Sequence, residues 1–212
     1  MVQSINNEGL KAVRQVLLRP GLLLPHATVP DIRHLDFARL KASGIKAVAF
    51  DKDNCLTRPY ETRLYPPFQE AWKQCQEVFS EKRIAIVSNS AGTLDDPEDR
   101  QALAIEQSLG VPVLRHQVKK PGGGDGLLEH FGSEIQPTDI AFVGDRLMTD
   151  VLYGNRYGFY TVWTTQVVSL TNDNPVAVRL RRFEYALHRF LGRFSSIQSP
   201  YHPVTERYNA LH

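Results

Sequence analysis

Short apolar runs alternate with amphipathic stretches through most of the chain. Ala47 to Phe50, Arg83 to Val87, Val111 to Leu114, Ile140 to Val143 and Tyr160 to Val168 are dominated by apolar, often β-branched or aromatic residues and read as buried strands. Helical patterns lie between them, over 31–44 up to Gly44, over 68–81, and from Asp95-Asp96-Pro97-Glu98 to Leu109-Gly110. Acidic residues suit the positive start of that third helix. Two more helices are predicted, over Asp125 to Phe131 and from Thr149 or Asp150 onward. Residues 58–67 hold Pro59, Pro66 and Pro67 and read as a loop. Strands alternating with helices at this spacing predict an α/β fold, a doubly wound and mostly parallel sheet.

The two ends carry a different pattern. In 1–30, Leu10, Val13, Val16 and Leu17 share a helical face after Asn7 as a cap, with Lys11, Arg14 and Gln15 opposite. Pro20 and Gly21 stop that helix, and Glu8 is the one carboxylate before Pro25. Three readings stay open: a helix packed on the core or on another subunit, an in-plane membrane anchor, or an import presequence. In 171–212, starting at Asn172, a second helix places Val176, Leu180, Phe183, Leu187, Phe190, Leu191 and Phe194 on one face. Arg182, Arg189 and Arg193 line one flank and Arg181 sits further round. That face suits a core or subunit contact, and it equally suits an anionic bilayer surface. The chain thus divides into a terminal helix, a central α/β domain over 31–170, and a basic helical tail.

Composition narrows the class. Of 212 residues 42% are hydrophobic and 23% charged, an ordinary globular balance with room for one α/β core. Lys+Arg 25 against Asp+Glu 23 leaves +2, which gives no reason to expect a nucleic-acid partner. Cys55 and Cys75 form no close pair and read as free thiols of a reducing compartment. No apolar run approaches the roughly 20 residues that span a bilayer.

The candidate chemistry sits where strands end. Asp51 and Asp53 follow the first predicted strand, Ser88 and Asn89 the second, Lys119 and Lys120 come after the third, and Asp145 and Asp150 after the fourth. Parallel strands all point one way, so the four clusters should converge on one crevice. An isolated Asp-x-Asp is more often a solvated turn, and Asp150 alone would read as a helix cap. Together they offer more. A carboxylate can attack phosphorus, and a second, two residues on, can protonate the leaving oxygen and then activate water. Mutually repelling acids call for a hard divalent cation, which Asp51, Asp145 and Asp150 would hold. Ser88, Asn89 and a lysine would take the phosphoryl oxygens. The glycines 122–124 follow the lysines and so do not make a nucleotide-binding loop.

These residues resemble the motifs of haloacid-dehalogenase-type phosphatases. Asp51-Lys52-Asp53-Asn54-Cys55 matches the first motif, with Cys55 where Thr or Val is usual, at a packing position. Ser88 matches the second, Lys120 before Pro121 the third with Lys119 as runner-up, and Gly144-Asp145 with Asp150 the fourth. The motif match covers 45–170. The resemblance implies Asp51 as nucleophile and metal ligand, and Asp53 as acid/base that also offers its backbone carbonyl to Mg²⁺. It implies Ser88, Asn89 and Lys120 as phosphate ligands, with Asp145 and Asp150 completing the metal site.

Neither gap between motifs has room for a large cap domain, so the crevice should be open to a phosphate on something large, or closed by another subunit. The phrase Phe50 to Thr57, the Lys-Lys-Pro-Gly after Val118 and the leucine-rich start resemble mitochondrial phosphatidylglycerophosphate phosphatases of fungi and plants. That resemblance implies a phospholipid substrate, a step towards cardiolipin, and a peripheral site on the matrix side of the mitochondrial inner membrane. Docking on an anionic membrane surface and self-association to a homo-oligomer are expected with it. Two other readings compete: a soluble phosphatase of nucleotides, sugar phosphates or nucleic-acid ends, and a non-catalytic scaffold. The complete acidic set argues against the scaffold.

Overall fold

A computed structural model describes residues 2–169 and 175–210. Asn172 and the side chains of Asn7 and Val176, invoked above, lie outside what it describes. Five strands, β1 (Ala27–Val29), β2 (Ala47–Phe50), β3 (Ile84–Ile86), β4 (Ile140–Gly144) and β5 (Tyr160–Thr164), form one sheet in the order β1-β5-β4-β2-β3. Every pairing is parallel, as expected for a doubly wound fold. Phe50 sits opposite both Ile86 and Val143, so the neighbouring strands β4, β2 and β3 end at nearly one level. That register brings Asp51, Ser88 and Asp145 to a single edge.

Side-chain alternation along the strands builds two cores. Val48, Phe50, Ile84, Ile86 and Val143 face α3 (Gln69–Phe79) and α4 (Arg100–Leu109), through Trp72, Phe79 and Ile105. Ala47, Ala49, Ala85 and Phe142 face α5 (Asp125–Phe131) and α6 (Leu152–Tyr157), where Leu127, Phe131 and Tyr153 fill the space the alanines leave. Both free cysteines are buried in the first core, in keeping with Cys55 as a packing residue.

Several predicted elements change. The helix over 31–44 is a tight turn at Ile32–His34 followed by the short α2 (Phe37–Ala42), each started by an aspartate, Asp31 and Asp36, accepting a backbone N–H. The strand over 111–114 is reduced to one bridge, Val113 to Ile86, because Pro112 cannot donate to a ladder. An unpredicted strand, β1, joins the edge beside β5; three residues between Pro25 and Pro30 are too few to show a period. Both end segments feed the core. Asn155 donates to the carbonyls of Leu22 and Leu24 at 2.8 and 2.9 Å, and the unpredicted α8 (Pro203–Ala210) buries Val204.

The C-terminal helix α7 (Pro175–Leu191) packs on a different face from the one its sequence favours. Phe183 and Phe190 are each 53% exposed and Leu180 is 40% exposed, whereas Arg181 and Glu184 are buried. At about 100° per residue the buried stripe is turned roughly a third of a turn from the apolar one. The cause is electrostatic, since Arg181 and Glu184 find ionic partners inside, as shown below. In α1 (Val2–Leu18) the division is similar: Ala12 and Val16 turn inward, and Leu10, Val13 and Leu17 are exposed. Among the described residues no helix is long and apolar enough to cross a membrane.

Candidate active site

Three carboxylates, Asp51, Asp145 and Asp150, meet at the carboxyl edge with one oxygen of each within 4.8 Å of the others. Asp51 and Asp145 leave β2 and β4 directly. Asp150 arrives on a wide π-type turn, Leu147–Val151, in which the Val151 amide donates to the Arg146 carbonyl. That turn replaces the first turn of the predicted helix and brings Asp150 back against the strand. Gly144 makes the approach feasible, because a Cβ there would lie 2.4 Å from that of Asp150.

Lys120 binds this cluster together. Its Nζ donates to Asp51 at 2.6 Å and to Asp150 at 2.7 Å, and the side chain is 1% exposed. Lys119 points away to pair with Asp95 near the surface, so the structure selects Lys120 of the two candidates. Asn89 stands behind it. Its Oδ1 accepts from the Lys120 amide at 2.8 Å and its Nδ2 donates to the Lys120 carbonyl at 3.3 Å. Both polar atoms of Asn89 therefore help to place the lysine, and its amide nitrogen carries a second N–H besides the one given to Lys120. Ser88 is buried at the end of β3, its hydroxyl accepting from the amides of Ser90 and Ala91 at 3.2 and 3.3 Å. Asp53 stands apart from the three-carboxylate cluster. Its carboxylate accepts from Lys52 and from the Tyr60 amide, the latter at 2.8 Å, and it is more exposed than the other three.

The sequence reading missed a second basic group. Arg181 of α7 donates through Nε to Asp145 at 2.7 Å, and both side chains are buried. Three residues on, Glu184 accepts from Arg146 Nε at 2.9 Å and from the Met148 amide at 3.1 Å. Helix α7 thus forms a wall of the crevice. One signal was available: Arg181, Glu184, Tyr185 and His188 make a polar stripe at helical spacing, which a freely solvated face does not require. Lys52, buried beside Asp53, was passed over as the x of Asp-x-Asp.

Burial dominates the titration of Asp51 and Asp145. It lifts the Asp51 carboxyl to about 6, with Lys120 opposing and Asp150 and Asp53 adding to the rise. Burial likewise pushes Asp145 well above the carboxylate range against the pull of Arg181. Lys120 is raised above a normal lysine, since Asp150 and Asp51 outweigh the burial that disfavours its charge. With all three acids ionised the site would carry three negative charges against the two cations Lys120 and Arg181. Its donors are oxygens only, and a hard divalent cation fits them. Asp51, Asp145 and Asp150 would hold it.

By fold and site this is an α/β protein with a lysine-clamped cluster of three carboxylates at the carboxyl edge of a parallel sheet. Residues 7–169 match the mitochondrial PGP phosphatase family, and the chain belongs to that family. It is 42% identical over 188 residues to phosphatidylglycerophosphate phosphatase 1, chloroplastic/mitochondrial, of Arabidopsis thaliana, covering 87% of this chain and 53% of that protein. It is 37% identical to the phosphatidylglycerophosphatase GEP4, mitochondrial, of Saccharomyces cerevisiae, over 89% of this chain and 100% of that one. A probable phosphatase of Bacillus subtilis, YqeG, is 29% identical over 82% of this chain and 95% of its own length. The chain spans about half the length of the plant relative and the full length of the yeast one.

Two outcomes follow from the buried charges. A carboxyl raised from its ordinary value of 3.8 to about 6 favours the folded state while protonated, below about pH 4, and that contribution is lost as pH rises through 6. Metal-free Asp51→Asn, which cannot ionise, is expected to melt several degrees above the metal-free wild type at about pH 8 and level with it near pH 4. Scanning fluorimetry in a chelator checks this, and a lower melting point at pH 8 would mean that the Lys120 ion pair outweighs desolvation. Arg181→Met strands a buried carboxylate and is expected to cost about 3–5 kcal/mol, against under about 0.5 kcal/mol for the exposed Arg182→Met. Urea unfolding of the two variants measures the difference.

Proposed function

We propose that the chain hydrolyses phosphatidylglycerophosphate to phosphatidylglycerol and phosphate, in a Mg²⁺-dependent reaction. The observation that carries this is the buried Asp51–Lys120–Asp150 cluster in a chain of the mitochondrial PGP phosphatase family. Asp51 attacks phosphorus, so a bond forms between its Oδ and phosphorus while the bond from phosphorus to the glycerol oxygen breaks. The Asp53 carboxyl gives its proton to that departing oxygen. In the second half, the Asp53 carboxylate takes a proton from water, whose oxygen bonds to phosphorus as the Asp51–phosphorus link breaks. Lys120, fixed by Asn89, and the turn at Ser88 neutralise and orient the equatorial oxygens. Bound Mg²⁺ supplies Lewis acidity and offsets the repulsion between Asp51 and the incoming phosphate.

The same reading places the protein peripherally on the matrix side of the mitochondrial inner membrane, on the path to cardiolipin. The support is the outward face of α7, where exposed Phe183 and Phe190 adjoin exposed Arg182, Arg189 and Arg193. Apolar side chains rimmed by arginine suit an anionic bilayer. Helix α1 adds Val13 and Leu17, with Lys11 and Arg14, all exposed. Contact between copies through these stripes, giving a homo-oligomer, is the competing use of them.

Phosphate release from phosphatidylglycerophosphate in anionic vesicles is expected with Mg²⁺, and is expected to fall at least a thousandfold in Asp51→Asn. Hydrolysis of p-nitrophenyl phosphate but not of the lipid would keep the chemistry and discard the substrate. Reversing charge at Arg182, Arg189 and Arg193 is expected to reduce vesicle binding and lipid turnover while sparing p-nitrophenyl phosphate. Equal loss on both substrates sinks the docking idea.

A further inference from the structure

A groove of about 270 Å³ lies between α1 and the loops that build the site. Its outer wall is Val13, Val16 and Leu17 of α1; its inner wall includes Pro121, Met148 and Leu152. No charged or polar side chain lines it, unlike the larger surface depressions near Lys82 and Lys73, which are lined by charges.

The inner wall ties the groove to the carboxylate cluster. Pro121 is bonded to Lys120, whose Nζ is 2.6 Å from Asp51. Adding the lysine's reach puts the Pro121 Cα within roughly 13 Å of the Asp51 carboxylate. Met148 and Leu152 flank Asp150 on the same turn and helix. An extended glycerol-phosphodiester-glycerol chain, with bonds of about 1.5 Å, covers roughly 10–13 Å from its terminal phosphorus to the first acyl ester. The headgroup is therefore long enough to reach from a phosphate at Asp51 to the inner wall of the apolar slot. The slot is narrower than the ~300–1,000 Å³ of a typical compact-ligand pocket, which suits one unbranched chain.

We propose that this groove seats one acyl chain of the phospholipid, so that α1 serves as the lipid-side wall of the substrate site. The inference rests on the lipid-phosphate reading above and adds where the chain goes. Each methylene buried there is expected to tighten binding about fourfold until the groove is full.

Met1 and Met148 are the two methionines of the chain, so a ¹³C-methyl label places one reporter in the groove wall. The full-length protein is titrated with dihexanoyl and dioctanoyl phosphatidylglycerol below micelle formation, and with glycerophosphoglycerol, the headgroup alone. The expected result is a saturable Met148 shift with both lipids, tighter for the longer one, and none with the headgroup. Val16→Trp, which fills the groove, should abolish the shift. Val13→Trp, on the exposed rim, repeats the test without touching buried packing. A Met148 signal unmoved by any lipid, or moved equally by the headgroup, overturns the proposal. So does one that depends on protein concentration without lipid, which would assign the groove to a second copy. Phosphate release from the lipid with a silent Met148 removes the groove and leaves the substrate reading standing. A chain-dependent Met148 shift without phosphate release keeps the groove and removes the substrate reading.

Discussion

The buried ammonium of Lys120, clamped between Asp51 and Asp150, is the contact on which the arrangement of this crevice depends. Without it, carboxylates from β2 and from the turn after β4 would face each other in a desolvated space, and such a pair does not stay ionised at neutral pH. The surrounding structure serves that contact. The parallel register levels the strand ends, Gly144 lets Asp150 close in, and Asn89 holds the lysine's own peptide from both sides. Even so, three carboxylates share the two cations Lys120 and Arg181, and desolvation by burial lifts Asp51 to about 6. A site left in that condition is prepared for a cation and a phosphate, and it gives up stability for that readiness.

Helix α7 extends the same logic to the outside of the molecule. It sends Arg181 to Asp145 and Glu184 to Arg146, and in doing so turns Phe183 and Phe190 to solvent. Buried charge pairs set the rotation of this helix, because an unpaired Asp145 would cost more than two exposed aromatic rings. One element therefore touches the candidate metal site on one side and presents an apolar, arginine-rimmed face on the other. Between the motifs no inserted domain occurs among the described residues, and α7 borders the site through Arg181 and Glu184.

Much of the centre was legible in the sequence, because Asp51 and Asp145 directly follow strands whose apolar runs are hard to misread. Asp51, Asp145 and Asp150 are close together, as the common direction of parallel strands implied. Lys120 was preferred to Lys119 by its place before Pro121, and the distances agree. What stayed hidden depends on contacts between distant parts of the chain. Arg181 lies 36 positions from Asp145, and its helix advertises an apolar stripe stronger than the polar one that is buried. Asn89 offered two polar atoms whose target, a backbone 31 positions away, no local pattern reveals. Strand β1 is three residues long and owes its existence to the edge of β5 rather than to its own composition.

The central claim is that Asp51 forms a bond to phosphorus, and trapping that bond tests it most directly. An acyl phosphate is reduced by borohydride to the alcohol, which would convert Asp51 to homoserine. The protein, turning over phosphatidylglycerophosphate with Mg²⁺, is quenched, reduced and mapped by peptide mass spectrometry. Homoserine at position 51, present with substrate and absent without it, is the predicted result. Steady phosphate release with Asp51 left unmodified, or with homoserine at Asp53, Asp145 or Asp150 instead, would contradict the account.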